Sequence, residues 1–220
     1  MKDKGFARMV EECDRQRKYT QYHEAGHAVA QYLLGFHPVR IQEASTKHDG
    51  RSSSFLRTSR GLFQTPRTRE RAADFAVVCI AGPAAQAKVS DRKLCDLRSE
   101  SELDGEDGHA GDYKNVYAIL AQLVIRNDSV RDAQLNLWEQ RAIAMINQPI
   151  AWAGVESVVN ALELSGDCLE RQELVSAIQR GLHNPSEYCE SRPGRRRSSV
   201  ANLPRRGWLR MDDVQPVRSQ

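Results

Sequence analysis

The feature that most constrains this chain is the pentapeptide HEAGH at residues 23–27, which lies in a stretch with helical periodicity from about residue 18 to residue 34. On a helix, side chains four residues apart lie on one face, so the two histidines point the same way. Gly35 and Pro38 follow this stretch, which is typical of a helix end. The pattern predicts a helix that presents two imidazoles side by side, with Ala25 and Gly26 leaving room for close packing of a second helix.

Two imidazoles at this spacing can both bind one Zn²⁺ ion at ~2.0–2.1 Å. Glu24 is too close along the helix to join the same pair of ligands, but it is near enough to act as general base on a zinc-bound water. For a chain with 6 histidines in 220 residues, about 0.01 accidental matches to H-E-x-x-H are expected. The motif therefore predicts His23 and His27 as zinc ligands and Glu24 as the base. The competing interpretation is two histidines satisfied in a core.

A catalytic zinc site takes a third protein ligand and keeps a fourth position open. Asp112 begins a predicted helix after an acidic stretch, and His109 lies just before it. Asp112 is also well suited to be the N-cap of that helix, because aspartate favours this position. The remaining candidates are acidic residues of the preceding stretch and of the second predicted helix: Asp104, Glu106, Asp107, Glu70 and Asp74. Spacing alone leaves these alternatives open.

Periodicity along the rest of the chain predicts a mainly α fold with a small β-sheet (α+β), built around a zincin-like H-E-x-x-H helix with a helical C-terminal half. Residues 39–63 are β-branched and interrupted by turn signals, which predicts two or three strands in a small hairpin. Residues 69–89 predict an Ala-rich helix that kinks or restarts near Gly82, because Pro83 lacks an N–H group. An acidic loop is predicted at 90–111. Further helices are predicted at about 112–126, 130–147, 149–164 and 168–182.

The same reading divides the chain into three parts. Residues 1–17 are predicted to be an N-terminal extension, and residues 18–183 a peptidase domain that includes the C-terminal helices. Residues 184–220 are rich in Arg, Ser and Pro, which is typical of a disordered tail.

Three segments in this order carry a family resemblance: HEAGHAV, AGPAAQ and GDYKNVYAIL. Together they resemble the peptidase domain of the FtsH family of zinc metallopeptidases, over about residues 18–165. The resemblance implies that His23, His27 and Asp112 are the zinc ligands and that Glu24 is the base. Gln86 stands where the family commonly has Glu, which implies the loss of an anionic contact.

The resemblance implies a zinc-dependent endopeptidase. The sequence has no GxxxxGK[ST] motif and its apolar runs are shorter than the ~20 residues of a membrane span. We therefore expect neither an ATPase module nor a membrane span. The expected activity is ATP-independent hydrolysis of protein or peptide substrates in flexible or unfolded segments. An extended substrate would pair with an edge strand formed by residues 39–63.

Cysteine usage and charge add the remaining expectations. The five cysteines include no C-x-x-C pair and no secretory signal precedes them, which favours a cytoplasmic protein. Residues 191–220 contain eight Arg and two Asp, so this tail is basic. Binding of nucleic acid or an acidic partner by the tail is one alternative function, although short Arg runs are usually solvated. A zinc-binding regulatory protein without peptidase activity is another. The oligomeric state is not predicted.

Overall fold

The computed structural model describes residues 4–38, 40–42, 66–104, 108–123, 127–165 and 168–186, with only the backbone described at 4–7, 42, 66–68, 100–104 and 108–110. The elements in this part of the chain are α1 (Lys4–Leu33), β1 (Arg40–Gln42), α2 (Pro66–Ser90), α3 (Leu94–Asp104), α4 (Gly108–Gln122), α5 (Asp128–Asn147), α6 (Pro149–Ser165), β2 (Cys168–Glu170) and α7 (Arg171–His183). The prediction of a mainly α fold with a small β-sheet is confirmed.

Helix α1 is longer than predicted, because it continues without a break across the expected boundary between residues 17 and 18. Residues 8–18 are exposed, whereas residues 21–30 are buried except for the partly buried Tyr22. The first half of the helix is therefore a solvated extension, and the second half is part of the core.

Helix α1 ends where the sequence predicts. Gly35 has a φ of +70°, the left-handed conformation that glycine adopts at a helix C-terminus. The Phe36 N–H donates to the Gln31 carbonyl at 2.7 Å and the Gly35 N–H to the Tyr32 carbonyl at 3.2 Å. This pair of hydrogen bonds is the Schellman motif, which satisfies the last carbonyls of the helix.

Helix α2 packs along α1 and forms the centre of the molecule, with α5, α4 and α3 also against it. Its segment from Phe75 to Ala85 is almost entirely buried. The sequence predicted a kink or a restart near Gly82, and the helix does not restart there, because α2 continues through Pro83 to Ser90. Proline removes one intrahelical hydrogen bond, and the packing on both sides keeps the helix continuous.

By length and composition alone, the segment Arg69–Ser90 of α2 is apolar enough to cross a membrane. Two thirds of its apolar window is buried inside the fold, and a core helix satisfies the same criterion. A single helix of this kind is weak support for a membrane span.

The predicted acidic loop at 90–111 is wrong over most of its length, because α3 occupies Leu94–Asp104. Leu94 and Leu97 are buried and lie three residues apart, so one face of this charged helix contacts the core. Helix α4 begins at Gly108 and places Asp112 in its second turn. The interpretation of Asp112 as a helix N-cap is therefore also wrong.

The helical C-terminal half is confirmed. The Asn127 side chain caps α5 by accepting the Val130 N–H at 3.1 Å. Helix α6 begins with Pro149, a favoured residue for the first helical turn. Residues 168–170, predicted as the start of the last helix, instead form β2. Helix α6 packs closely against both α1 and α7.

The sheet joins two distant parts of the chain. Strand β1 pairs antiparallel with β2, in the register Arg40↔Glu170, Ile41↔Leu169 and Gln42↔Cys168. The strand that begins at residue 40 thus pairs, within the described part of the chain, with the segment before α7. The rest of the predicted hairpin, at 43–63, lies outside the described residues, as do residues 187–220 of the predicted tail.

Candidate metal centre

The buried half of α1 holds the two motif histidines side by side. His23 and His27 are each 5% exposed, and their Nε2 atoms are 3.0 Å apart. The rings meet edge to face, with centroids 4.6 Å apart. The predicted placement of two imidazoles on one helix face is confirmed.

Asp112 of α4 completes a group of three donor atoms, although it lies 85 residues after His27. Its Oδ2 atom is 3.0 Å from His23 Nε2 and 3.1 Å from His27 Nε2. The three atoms therefore form a nearly equilateral triangle. Sequence spacing alone did not predict this contact, whereas the family resemblance did.

The donor set fits a zinc ion. Two imidazole nitrogens and one carboxylate oxygen are ordinary zinc ligands, and a catalytic site uses three protein ligands. Ligand atoms at 2.0–2.1 Å from a tetrahedral ion are about 3.3 Å apart, so the observed triangle needs to widen by only a few tenths of an ångström. Holding a carboxylate and two buried imidazoles this close together is costly without a cation between them.

Glu24 lies at the edge of this triangle. Its carboxylate is 7% exposed, and its Oε1 atom is 4.0 Å from His23 Nε2. Donor atoms of Glu24, His23 and His27 also lie within 4.8 Å of one another, a spacing at which they could hold an ion. Asp112 is the better third ligand because it is closer and contacts both histidines. Glu24 is then left beside the site as an uncoordinated carboxylate.

Helix α2 orients both imidazoles from the opposite side. The Nδ1 atom of His27 is 2.8 Å from the Val78 carbonyl oxygen. Because a carbonyl only accepts, Nδ1 carries a proton, and the neutral ring therefore presents the lone pair of Nε2 to the site. The Nδ1 atom of His23 is 3.2 Å from Gln86 Oε1, which gives the same tautomer. Partners of this kind fix the orientation of metal-binding histidines.

Gln86 contacts the site without a negative charge. The resemblance implied the loss of an anionic contact at this position, and the neutral amide of Gln86 instead accepts a hydrogen bond from His23. The Val78 carbonyl was not identified as a functional group from the sequence, since a backbone group is not part of the H-E-x-x-H pattern.

Two glycines allow α1 and α2 to approach this closely. A Cβ atom on Gly82 would lie 2.3 Å from His27 Nε2, and one on Gly26 would lie 2.6 Å from the Ala81 carbonyl oxygen. The expectation that Gly26 provides room for a second helix is confirmed. Gly82, by contrast, was predicted only as a helix break, and its contact with the imidazole is a new finding.

The close approach of the ionisable side chains also shifts the pKa values of His27 and Asp112. Burial lowers the pKa of His27, but the Asp112 carboxylate and then Glu24 raise it more strongly, to about 9. Burial raises the pKa of Asp112, but His27 and His23 outweigh this effect and hold it well below its usual range. In the metal-free protein at neutral pH, a proton therefore supplies the positive charge between His27 and Asp112.

The other candidate ligands do not reach the histidines in the described part of the chain. Asp74 accepts a hydrogen bond from Arg141 at 3.0 Å, and Glu70 is exposed. The side chains of Asp104 and His109, together with all of residues 105–107, lie outside the described residues.

A large cavity in the described part of the chain lies away from these residues. It measures about 1210 Å³, and its walls come from α2, α3, α4 and α5 and the turn after α2. None of the four site residues lines it, and its walls carry charges of both signs, including Lys88, Asp91, Arg98 and Glu139. The convergence of donor atoms, rather than the size of a cavity, therefore identifies the candidate site.

No family model matches this chain, and no curated protein matches it. The resemblance to the FtsH family stays a prediction, and a function has to be argued from the chemistry of the site itself.

Proposed function

We propose that this protein is a zinc-dependent endopeptidase in which His23, His27 and Asp112 hold the metal and Glu24 is the general base. The observation that carries the proposal is the 3.0–3.1 Å triangle of donor atoms from two helices. Two buried imidazoles and one partly buried carboxylate, with a second carboxylate beside them, are the groups that metal-assisted peptide hydrolysis requires.

Zinc, when bound, supplies Lewis-acid chemistry: it makes a coordinated water acidic near neutral pH and polarises a substrate carbonyl. The chain supplies the proton transfers. Glu24 Oε1 lies 4.0 Å from His23 Nε2, where its carboxylate is placed to accept a proton from attacking water and to pass it to the leaving amine. Val78 and Gln86 hold the two imidazoles in the tautomer that binds a metal.

The burial of the site supports a preference for flexible or unfolded segments. His23, Glu24 and His27 are only 5–7% exposed, so an extended strand can approach them more easily than a folded domain can. We propose that such a strand pairs with the sheet that contains β1, which follows α1 closely in the chain. We propose that hydrolysis needs no ATP, since the sequence contains no P-loop motif.

We also propose that the activity belongs to the cytoplasm. Four cysteines lie in the described part of the chain, Cys13, Cys79, Cys95 and Cys168, and all four are free thiols. Free thiols of this number fit a reducing compartment.

A second candidate is a zinc-binding regulatory protein without peptidase activity. The near-complete burial of His23 and His27 favours it, because a structural zinc site is closed whereas a catalytic site keeps one position open. The presence of Glu24 favours the peptidase, since a structural site has no need of a fourth ionisable group beside the metal.

Replacing Glu24 with Gln tests the proposal. The variant Glu24→Gln is expected to keep its zinc and to lose at least about 100-fold in the rate of hydrolysis of an unfolded, fluorescently labelled protein, the range typical of a lost general base. The assay compares the two proteins at equal zinc content. An unchanged rate in the variant would contradict the role of Glu24. Bound zinc without hydrolysis in the wild type would favour the regulatory protein.

A further inference from the structure

We propose that Glu139 is a positioning residue of the metal centre, which acts through Tyr113 to hold Asp112 against the two histidines. The inference rests on the proposed zinc site and adds residues that do not contact the metal. It concerns the hydrogen bonds that connect α3, α4 and α5.

Asp112 is the ligand whose position depends most on packing between elements. His23 and His27 lie one turn apart on α1, so their relative positions are set by one helix. Asp112 comes from α4, and only the placement of that helix keeps its Oδ2 atom 3.0–3.1 Å from the imidazoles. A displacement of α4 by 1 Å would move the carboxylate out of the range of zinc ligands.

Tyr113, the next residue in α4, is fixed by a buried hydrogen bond. Its side chain is 2% exposed, and its hydroxyl donates to Glu139 Oε1 of α5 at 3.0 Å. Arg98 of α3 donates to the same oxygen atom at 3.0 Å. Glu139 is 8% exposed. Because a buried carboxylate has to be paired, these hydrogen bonds define one position for α4 relative to α5.

The network connects Asp112 to the part of the fold that orients the histidines. Helix α5 packs on α2, and α2 carries the Val78 carbonyl and Gln86 that accept hydrogen bonds from the imidazoles. Glu139 therefore connects α4, which carries Asp112, to the helices that pack around and orient His23 and His27. Loss of such outer groups typically costs 10–100-fold in metal affinity.

The test removes one hydroxyl group. Tyr113→Phe keeps the ring and its packing, and we expect it to weaken zinc binding by about 10-fold or more in competition with a chromophoric chelator. The visible absorption bands of the Co²⁺-substituted protein should shift, because they report coordination geometry. Glu139→Gln keeps an acceptor oxygen for the hydroxyl and is expected to retain more of the affinity than Tyr113→Phe does.

Asp74→Asn is the matched control. It weakens another contact between helices, the 3.0 Å ion pair of Asp74 in α2 with Arg141 in α5, without touching α4. We expect Asp74→Asn to lower the melting temperature while zinc affinity and the Co²⁺ spectrum stay at wild-type values. If Tyr113→Phe behaves in the same way, the hydrogen bond is merely structural and the positioning role is overturned.

A measurement on the metal-free protein tests this inference independently of the proposed zinc binding. The ¹⁵N resonance of His27 Nε2 reports the contact with Asp112, so Tyr113→Phe should shift it and Asp74→Asn should not. A folded wild-type protein that binds no zinc would overturn the proposed function, while a shifted resonance in Tyr113→Phe would still support the positioning of Asp112. An unshifted resonance would overturn the positioning role.

Discussion

At the scale of single residues, the site depends on groups that lie behind the imidazoles as well as on the ligands. Val78 and Gln86 accept hydrogen bonds from the two Nδ1 atoms and so fix the tautomer of each ring. Gly82 leaves the space that the ring of His27 occupies. The H-E-x-x-H pattern contains none of these three, because they belong to a helix that follows much later in the chain.

Gly82 provides the sharpest single-residue prediction. In Gly82→Ala the new Cβ atom would lie 2.3 Å from His27 Nε2, so the imidazole has to move away from the other donors. We expect zinc affinity to fall by 10–100-fold, as for loss of other groups that orient a ligand. Chelator competition measures the change.

Gly111→Ala is the control for this variant. Gly111 is also a helical glycine, but a Cβ atom there meets nothing within 4 Å. We expect unchanged zinc affinity and slightly higher helix stability, since alanine is favoured over glycine by about 1 kcal/mol inside a helix. Equal effects of the two substitutions would contradict the role of Gly82.

At the scale of elements, the contact between α1 and α2 creates the site. In the proposed site, α1 supplies two ligands and the base, and α2 supplies the groups that orient them, so the distance between the two helices sets the geometry. Gly26 defines that distance, because its Cα atom faces the backbone of Ala81. Small residues at a helix crossing permit this close approach.

Gly26→Ala is therefore expected to destabilise the protein. The added methyl would lie 2.6 Å from the Ala81 carbonyl oxygen, which is backbone and cannot rotate away. Overpacking of this kind typically costs about 1–3 kcal/mol in the free energy of unfolding. Denaturation with urea measures the loss.

Gly154→Ala in α6 is the comparison for that experiment. Its Cβ atom would meet flexible side chains of Leu182 and Val29 at 3.4–3.5 Å, an ordinary contact distance. We expect its stability to stay within about 1 kcal/mol of wild type, because helix propensity favours alanine by a similar amount. A loss in Gly154→Ala as large as that in Gly26→Ala would show that the clash with Ala81 is not the cause.

The differences between expectation and structure also belong to this scale. The sequence predicted helix ends correctly where a single residue determines them: Gly35 ends α1, and Pro149 begins α6. Helix α3 was missed because its charged composition resembles a loop, and its two buried leucines are a short signal. The pairing of β1 with β2 joins segments more than 120 residues apart, and no short-range pattern encodes such a contact.

At the scale of the whole molecule, the fold brings distant parts of the chain to one point. The motif predicted His23, Glu24 and His27 as a group, and their proximity is confirmed. The role of Asp112 required the family resemblance, since its contact with the histidines depends on how α3 and α4 pack on α2. Glu139 could not be identified at all, because its partners Arg98 and Tyr113 are 41 and 26 residues away.

The content of bound zinc tests the central claim most directly, because it distinguishes between the two carboxylates next to the histidines, Asp112 and Glu24. We predict about one zinc per chain in the wild type and in Glu24→Gln, and loss of the metal in His23→Ala and Asp112→Ala, as expected for a three-ligand site. Full zinc content in Asp112→Ala with loss in Glu24→Gln would make Glu24 the third ligand and contradict its role as base. No zinc in the folded wild type would contradict the metal centre itself.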